Sequence, residues 1–466
     1  MSRARILGWA TAAAACAIVL AACSGAATPA PSATPAPVAS AAASAAPTSP
    51  PTSVPTAAVS PTAAPSASVS GSITVWSWDT AAAALKTCAT AFQAANPGTT
   101  IDVQDIGYDN AYDKISVGLQ SGSGLPDVIT IETDHMQPYI SAFPNGFLDL
   151  TDRAAGMKDQ FDPSKWAASS DANGRLFSLP WDSGTVGIFY RSDLFAKAGV
   201  DPASIKTWDD FVAAGEKVKS ATGIPMINVD VNGSDSIWAE LMQQQGASYF
   251  TADGSIDVAG PEAVKAMTLL KTLYDKGLID NEKGWDARVA AAKAGKAATQ
   301  ATGVWWIGTL TSEMPELSGK FGVMPLPVFA TGGAQTSNNG GSTLAIAATS
   351  QNPDLAWAFT VSCLADAKSQ ATMLQDQGLF PAYIPAYSEA VMTAPQAYFG
   401  GQPVFKVFGD LTAGIPAITY TADNSKASDI MTNAQAAILA DHKDIKATLD
   451  DAAKQLANAT GRSIAP

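Results

Sequence analysis

The sequence is poor in the residue patterns that carry most enzymatic and metal-binding chemistry. It has two histidines, His135 and His442, far apart in the chain, and four cysteines among 466 residues. The motifs HExxH, CxxC, GxSxG and GxxxxGK[ST] are absent, which excludes the corresponding zinc, thiol-redox, hydrolase and nucleotide-binding sites. We therefore expect no catalytic residue, cofactor or metal of these classes.

A basic excess is also lacking. Lys and Arg total 28 against 42 Asp and Glu, a formal charge of −14, and the charge falls to −16 when Arg3 and Arg5 are removed. This balance excludes a basic nucleic-acid footprint. After the first residues, no apolar run reaches the roughly 20 residues that a spanning helix needs.

The first 22 residues have the form of an export signal. Arg3 and Arg5 precede a short apolar run and small residues, as in a cleavable signal peptide. The run ends in Leu-Ala-Ala-Cys, which resembles the bacterial lipobox and implies that Cys23 is lipidated and becomes the mature N-terminus. The alternative is an ordinary secretory signal with an incidental cysteine.

Residues 24–72 contain only Ala, Pro, Ser, Thr, Val and Gly, without charge or aromatic side chains. Such a segment cannot bury enough apolar surface to offset its ordering entropy. With lipidated Cys23 it is predicted to be a disordered tether (23–72) with a reach of at most about 150 Å at ~3.1 Å per residue. An O-glycosylated stalk would serve the same role.

The remaining residues, 73–466, are too many for one ordinary core and suit two lobes. The strand pattern "GSITVWSWD" is followed by a helix pattern over 81–95, and the alternation continues through "TTIDVQDIG" and "LPDVITIET". This alternation predicts an α/β fold with mostly parallel sheets flanked by helices. Ligands bind such sheets beyond the carboxyl ends of the strands.

Tryptophans and acids stand where these predicted strands end. Flat rings fit the apolar face of a sugar, and carboxylates accept hydrogen bonds from its hydroxyls. Core packing explains any single tryptophan better, and a solvated loop or a helix N-cap explains any single acid. Six tryptophans in such places nevertheless favour a sugar site: Trp76, Trp78, Trp181, Trp238, Trp305 and Trp306.

The segment "NVDVNGSDSIWAEL" partly matches a calcium-binding loop. Asn228, Asp230, Asn232 and Gly233 occupy positions 1, 3, 5 and 6 of such a loop. The twelfth position, which needs a bidentate Glu, is Ala239. A turn after a strand is the favoured interpretation.

Two cysteines, Cys88 and Cys363, lie outside the signal, each on the apolar stripe of a predicted helix. An exported protein can join such a pair in a disulfide. Two buried free thiols are the alternative. Export of the protein does not by itself decide between a disulfide and two free thiols.

Several strings in order resemble one family. They are "ITVWSWD", "SGSGLPDVITIET", "LPWDSGTVGIFYRSDLFAKAG", "TWDDFVAAG", "AGKAATQATGVWWIG" and "NPDLAWAFTVSCLAD", and they span the whole folded region. Together they resemble the family 1 extracellular solute-binding proteins of sugar ABC transporters, the family of maltose-binding protein. The run "SGLPDVITIET…YISAFPNGFLDLTD" further resembles the arabino-oligosaccharide and lactose-binding branch.

The resemblance implies a two-lobe, type II periplasmic-binding-protein fold with a hinge. The first lobe would comprise 73–180 plus 327–380, and the second 181–326 plus 381–466. Hinge crossings are expected near 180–183, 326–330 and 380–383. If so, Cys88 and Cys363 share the first lobe, which favours their disulfide.

By position, the resemblance also implies the ligand-binding residues. "GVWW" carries the stacking aromatic at Trp305, with Trp306 mainly packing, because neighbours in a strand point to opposite faces. His135 stands where maltose-binding protein has a basic contact, which puts a direct role there in doubt. The predicted set is Trp78, Asp79, Glu132, Asp134, Trp181, Asp182, Trp238, Trp305, Gly341, Ser342, Tyr383 and Tyr420.

The function expected is that of a non-enzymatic, monomeric substrate-binding lipoprotein. It would capture a mono- or oligosaccharide between its lobes and deliver it to the permease subunits of an ABC importer. It would be extracytoplasmic and reach the membrane only through its lipid anchor. The alternatives are a secreted glycosidase or lyase that uses the same carboxylates, and a ligand sensor that feeds a histidine kinase.

Overall fold

A computed structural model describes residues 69–171, 173–416 and 418–466. The predicted signal peptide, lipidated Cys23 and most of the tether lie outside the described residues. The first strand begins at Gly71, two residues before the expected start of the folded region. Within the described ranges, no helix is both long and apolar enough to cross a membrane.

Ten strands and fifteen α-helices are found in the described residues. The strands are β1 (Gly71–Ser77), β2 (Thr99–Asp105), β3 (Val128–Glu132), β4 (Ser178–Pro180), β5 (Val186–Arg191), β6 (Ile227–Val229), β7 (Ile279–Asn281), β8 (Thr299–Gly303), β9 (Phe321–Met324) and β10 (Ser342–Ile346). The helices are α1 (Asp79–Ala95), α2 (Tyr108–Ser121), α3 (Thr133–Ala142), α4 (Pro163–Ala168), α5 (Ser192–Ala198), α6 (Trp208–Thr222), α7 (Ser236–Gln244), α8 (Pro261–Asp275), α9 (Trp285–Ala294), α10 (Trp306–Glu313), α11 (Pro353–Leu364), α12 (Ala367–Gln377), α13 (Val404–Thr412), α14 (Asn424–Leu439) and α15 (Ile445–Thr460). Short 3-10 helices cover Lys158–Gln160, Pro202–Ser204, Pro315–Leu317, Ile384–Ser388, Ala390–Met392 and Ala397–Phe399.

Local signals explain several helix starts. Thr207 caps α6 by accepting a hydrogen bond from the Asp210 N–H at 3.2 Å, and the Asp210 carboxylate accepts from the Thr207 N–H in return. This reciprocal capping box satisfies two backbone donors that the first turn leaves unpaired. α8 starts at Pro261, whose missing N–H costs nothing in the first turn.

The strands form two five-stranded sheets of matching design. The first has the order β2-β1-β3-β10-β4, and the second β7-β6-β8-β5-β9. In each sheet four strands run the same way and one runs against them: β10 in the first and β5 in the second. The predicted α/β class with two mostly parallel sheets is therefore confirmed.

The chain passes between the sheets more than once. It leaves the first sheet after β4 at Pro180, enters the second at β5, and returns from β9 to β10. After α12, which packs on α1, it reaches α13, which packs on β9. The two lobes also meet where α14 contacts α3. A cleft is thus enclosed between the sheets.

A disulfide joins Cys88 on α1 to Cys363 on α11. Both cysteines lie in the apolar core of the first lobe, with Phe92 and Phe359 packed edge to face beside them. The predicted pairing is confirmed, and it joins two helices through cysteines that are 275 residues apart in sequence.

Candidate functional site

Two adjoining cavities lie in the interlobe cleft. The first, which we call the aromatic chamber, has a volume of about 380 Å³ and is lined by Trp78, Asp79, Asp182, Trp285, Arg288 and Trp305, among others. The second, the polar chamber, has about 270 Å³ and is lined by Asp134, His135, Asp235, Glu240, Tyr249 and Tyr420, among others. Tyr108, Glu132, Ser234, Ser236 and Asn339 border both chambers. One elongated ligand could therefore occupy them together.

The first-lobe wall of the aromatic chamber follows from the end of β1. Trp78 comes directly after this strand, and its ring packs edge-on against Tyr108 at 5.6 Å between ring centroids. Asp79 begins α1 with a φ of 43°, and its backbone N–H donates to the Asp105 carboxylate. A non-glycine residue in this left-handed region is strained, a feature that clusters at binding sites.

The opposite wall is built by two tryptophans of the second lobe. Trp285 starts α9 and Trp305 precedes α10, and their ring centroids lie 5.7 Å apart. The Trp305 indole N–H donates to the backbone oxygen of Asn339 at 3.0 Å, which fixes the ring. The ring is partly buried and lines the chamber.

Trp305 and Trp306 differ as expected, but not for the expected reason. β8 ends at Gly303, so both tryptophans lie at a helix start and strand alternation does not apply. A side chain at Gly303 would collide with the Trp305 indole, since its Cβ would stand 2.2 Å from Nε1. The glycine thus lets the chain fold back. Trp305 reaches the chamber, whereas Trp306 is 1% exposed.

Glu132, at the end of β3, is held where the chambers join. Its Oε2 accepts hydrogen bonds from the hydroxyls of Tyr108 at 3.0 Å and Tyr112 at 2.6 Å. Burial, together with the neighbouring Asp134 carboxylate, raises the pKa of this carboxyl. Hydrogen bonds from the tyrosines hold Glu132 in one orientation at the cavity wall.

Asp182 lies on the floor of the aromatic chamber. Its carboxylate accepts the backbone N–H of Ser342 at 2.6 Å, and burial raises its pKa to about 6. Gly341, with φ of 92°, lets the chain approach closely, since a Cβ there would stand 2.7 Å from the Asp182 backbone oxygen. Gly341 and Ser342 both border the chamber, as predicted from the sequence.

In the polar chamber, Asp134 and His135 form an ion pair in the first turn of α3. The His135 ring stacks on Tyr112 with centroids 3.8 Å apart, and its Nδ1 lies 2.9 Å from Asp134. Burial lowers the pKa of His135, but the attraction of Asp134 outweighs it and raises the value to about 9. Glu132, Asp134 and His135 have ligand atoms within 4.8 Å of one another, which could suit a metal ion. These atoms already bind one another or the tyrosines.

Two buried carboxyls of the second lobe face the same chamber. Asp235 accepts hydrogen bonds from Tyr249 at 2.8 Å and Ser428 at 2.7 Å. Glu240, on α7, accepts one from the side chain of Asn339. Burial raises the pKa of Asp235 to about 7 and that of Glu240 to about 8. Each carboxyl is therefore partly neutral near physiological pH.

A buried lysine supports the loop between the chambers. The Lys165 ammonium donates to the Asn338 side chain at 2.9 Å and to the Gly340 carbonyl at 3.0 Å. Burial lowers its pKa. Asn338 also donates to the hydroxyl of Tyr420 at 3.4 Å. These contacts hold Asn338 and Gly340 at the cavity wall.

Three predicted site residues do not offer a surface to a ligand. Trp181 is fully buried in the core of the first lobe, and Tyr383 packs there with its hydroxyl donating to Gln160 at 3.0 Å. Trp238 borders the polar chamber but is 0% exposed, and its indole N–H donates to Ala263. In all three residues, the ring is buried by packing inside a lobe.

The segment with calcium-loop spacing forms a turn. Asp230 Oδ1 accepts the N–H groups of Asn232 and Gly233, and Oδ2 accepts the N–H of Gly284. Backbone donors therefore occupy this carboxylate. The turn interpretation is confirmed.

The sequence analysis missed residues that the second lobe presents from helices: Asp235, Glu240, Trp285 and Arg288. Trp285 follows Gly284, whose φ of 80° begins α9, and that glycine was the one available signal. The Arg288 Nε donates to Asn228 at 3.3 Å, and burial lowers the pKa of its guanidinium. Chemically, the site combines ring faces, acceptor carboxylates and few cations.

Comparison with known proteins identifies the family. A family model described as bacterial extracellular solute-binding protein matches residues 76–371. The chain is 31% identical over 363 residues to the lactose-binding protein of Rhizobium radiobacter, covering 75% of this chain and 83% of that protein. It is 29% identical over 359 residues to the arabinooligosaccharide-binding protein of Bacillus subtilis, covering 75% and 82%. These two names match the branch that the sequence resembles.

A solved structure agrees. The ABC transporter associated binding protein of B. animalis subsp. lactis Bl-04, in complex with beta-1,6-galactobiose, superposes with a TM-score of 0.76 at 25% identity. The match covers 85% of this chain and 100% of that one. Membership implies an extracytoplasmic location and decides against the glycosidase alternative. The protein belongs to the bacterial extracellular solute-binding proteins, a family of binding proteins and not of enzymes.

Proposed function

We propose that the protein captures a sugar or oligosaccharide in the interlobe cleft and delivers it to the permease of an ABC importer. One observation carries the proposal: in a chain of this family, tryptophan rings and oriented carboxyls converge on a single cleft. The names of two relatives, a lactose-binding and an arabinooligosaccharide-binding protein, support a saccharide ligand. The neighbour bound to beta-1,6-galactobiose supports it as well.

In this proposal the aromatic chamber binds the apolar face of a sugar ring. Trp305 would stack on the ring, with Trp78 and Trp285 as side walls. Asp79 and Asp182 would accept hydrogen bonds from hydroxyls, as ionised carboxylates do well. Trp306 would serve packing alone.

The polar chamber would hold the remainder of the ligand. Glu132 and Asp134 would act as acceptors there and Tyr420 would border the sugar, while Gly341 and Ser342 would border the part of the ligand in the aromatic chamber. With two adjoining chambers of about 380 and 270 Å³, the ligand would contain at least two rings. Such volumes match typical small-molecule sites.

Capture would couple to hinge motion. The proposed lobes are 73–180 plus 327–380 and 181–326 plus 381–466, with crossings near 180–183, 326–330 and 380–383. Within these crossings, Trp181 and Tyr383 pack in the core of the first lobe. The ligand would favour the closed state by its differential affinity for that state. Lipidated Cys23 and the tether would keep the monomer near the membrane.

Calorimetric titration with a sugar panel tests the proposal. The panel includes lactose, beta-1,6-galactobiose, arabino-oligosaccharides and their monosaccharides, with amino acids as controls. We expect at least one saccharide to bind with a Kd of about 1 μM or tighter, roughly −8 kcal/mol. If natively folded protein binds none of the sugars, or prefers an amino acid, the proposal is wrong.

A further inference from the structure

One buried carboxyl oxygen of a residue that lines the cleft lacks a partner. Glu240 is 3% exposed and borders the polar chamber. Its Oε1 accepts the Asn339 side-chain N–H, whereas its Oε2 makes no hydrogen bond to any described residue. Buried side-chain oxygens rarely stay unpaired, because desolvation without a partner costs about 1–3 kcal/mol.

Asn339 fixes the direction of this carboxyl. The Asn339 backbone N–H donates to Gly184 at 2.8 Å, and its backbone oxygen accepts the Trp305 indole N–H at 3.0 Å. With both backbone groups engaged, its side chain is held against Glu240. Asn339 thus links the stacking tryptophan of one chamber to the unpaired carboxyl of the other.

The surroundings favour a neutral carboxyl. No described cation comes within ion-pair distance of Glu240, and Arg288, whose charge is the one attracting it, donates its Nε to Asn228. Burial raises the pKa of Glu240 to about 8, because it outweighs both the hydrogen bond from Asn339 and the attraction of Arg288, which lower it. The other charged or titratable groups bordering the same chamber are Tyr108, Glu132, the Asp134–His135 pair, Asp235, Tyr249 and Tyr420.

We propose that Glu240 keeps its proton at neutral pH and donates its Oε2–H to an oxygen of the bound sugar. The inference rests on the proposed function. Ring and glycosidic oxygens of a sugar only accept hydrogen bonds, and ionised carboxylates cannot donate to them. A protonated Glu240 supplies such a donor, so it favours a neutral saccharide that places such an oxygen in the polar chamber.

Proton linkage makes the proposal measurable. Since only the neutral carboxyl donates, affinity should fall above pH 8, by at most about tenfold per pH unit. Binding above pH 8 should then take up about one proton. His135 titrates in the same range, with its pKa raised to about 9, so the pH profile alone does not assign the group.

Substitutions identify which residue causes the alkaline fall in affinity. Glu240→Gln keeps an N–H donor at every pH, so its affinity should stay within about fivefold of the parent at pH 7 and lose the alkaline fall. Asp235→Asn is the matched control. It replaces a second carboxyl of the same chamber whose two oxygens already accept hydrogen bonds from Tyr249 and Ser428, so the alkaline fall should remain.

The experiment is calorimetry from pH 6 to 10 with the tightest-binding sugar of the panel, in two buffers of different ionisation enthalpy. Loss of the alkaline fall and of proton uptake in Glu240→Gln, with both retained in Asp235→Asn, supports the proposal. A flat profile in the parent, a fall that persists in Glu240→Gln, or tighter binding at high pH overturns it while leaving sugar binding intact. If no sugar binds, the proposed function fails and the donor role falls with it.

Discussion

The two chambers of the cleft are built from different chemistry. The aromatic chamber presents rings from both lobes, Trp78 from one side and Trp285 and Trp305 from the other. The polar chamber presents titratable groups, with the Asp134–His135 pair facing Asp235 and Glu240. We infer that the aromatic chamber supplies most of the affinity, whereas the polar chamber supplies selectivity and pH dependence.

The largest effect should come from the aromatic chamber. Trp305→Ala removes the proposed stacking face and should weaken sugar binding by at least about 100-fold, or ~3 kcal/mol. It should cost about 1 kcal/mol of stability for the lost hydrogen bond to Asn339, plus a packing loss from its contact with Trp285 that is smaller than for a fully buried tryptophan, because Trp305 is only partly buried. Calorimetry and thermal unfolding measure the two quantities.

Trp306→Ala is the adjacent control. Trp306 is 1% exposed in the core beside Trp285, so its loss should lower the free energy of unfolding by about 3–5 kcal/mol. The folded fraction should bind sugar within a few-fold of the parent. Matching phenotypes for the two variants would remove the distinction between the stacking and the packing tryptophan.

A smaller, pH-dependent effect should mark the polar chamber. Burial lowers the pKa of His135, but Asp134 raises it to about 9, above its ordinary 6.5. The bound proton therefore stabilises the fold fully below pH 6.5, and this contribution is lost as the pH rises through 9. His135→Gln should lower the free energy of unfolding at pH 6 by about 1–2 kcal/mol, the side chain being 29% exposed.

Urea unfolding at pH 6 and pH 10 checks this expectation. The parent and His135→Gln should converge at pH 10, while Trp305→Ala should track the pH dependence of the parent. Equal destabilisation by His135→Gln at both pH values would show that the ion pair contributes nothing, and the contrast between the chambers would weaken.

The smallest effect is expected outside both chambers. Tyr383→Phe removes a hydroxyl that donates to Gln160 inside the first lobe, which should cost about 1 kcal/mol of stability. Sugar affinity should stay within twofold, by calorimetry. A larger loss of affinity would show that Tyr383 contributes to sugar binding and that the binding site extends beyond the two chambers.

The sequence predicted the first-lobe wall well and the second-lobe wall poorly, for a physical reason. Trp78 directly follows β1 and Glu132 is the last residue of β3, and ligands bind beyond the carboxyl ends of parallel strands. Glu240 and Arg288 lie within helices α7 and α9. Which helix face meets the cleft depends on how the lobes pack, which local periodicity does not contain.

The sequence also predicted poorly which residues of the segments that cross between the sheets reach the cleft. Trp181 and Tyr383 lie close to the points where the chain passes between the sheets. There, a small change in backbone direction determines whether a side chain faces the cleft or the core of a lobe. The tryptophan pair shows the converse case: the predicted strand ended early, at Gly303, yet Trp305 still reached the chamber. The two sheets were predictable because period and caps are local signals. The disulfide was not, since only the family resemblance, which places Cys88 and Cys363 in one lobe, favoured that pairing.

The most direct test of the central claim is a crystal structure with the tightest-binding saccharide of the panel. The account predicts a sugar ring against the exposed face of Trp305, with hydroxyls within hydrogen-bond distance of Glu132 and density continuing into the polar chamber. A saccharide bound elsewhere, or in the cleft without contact to Trp305, would contradict it.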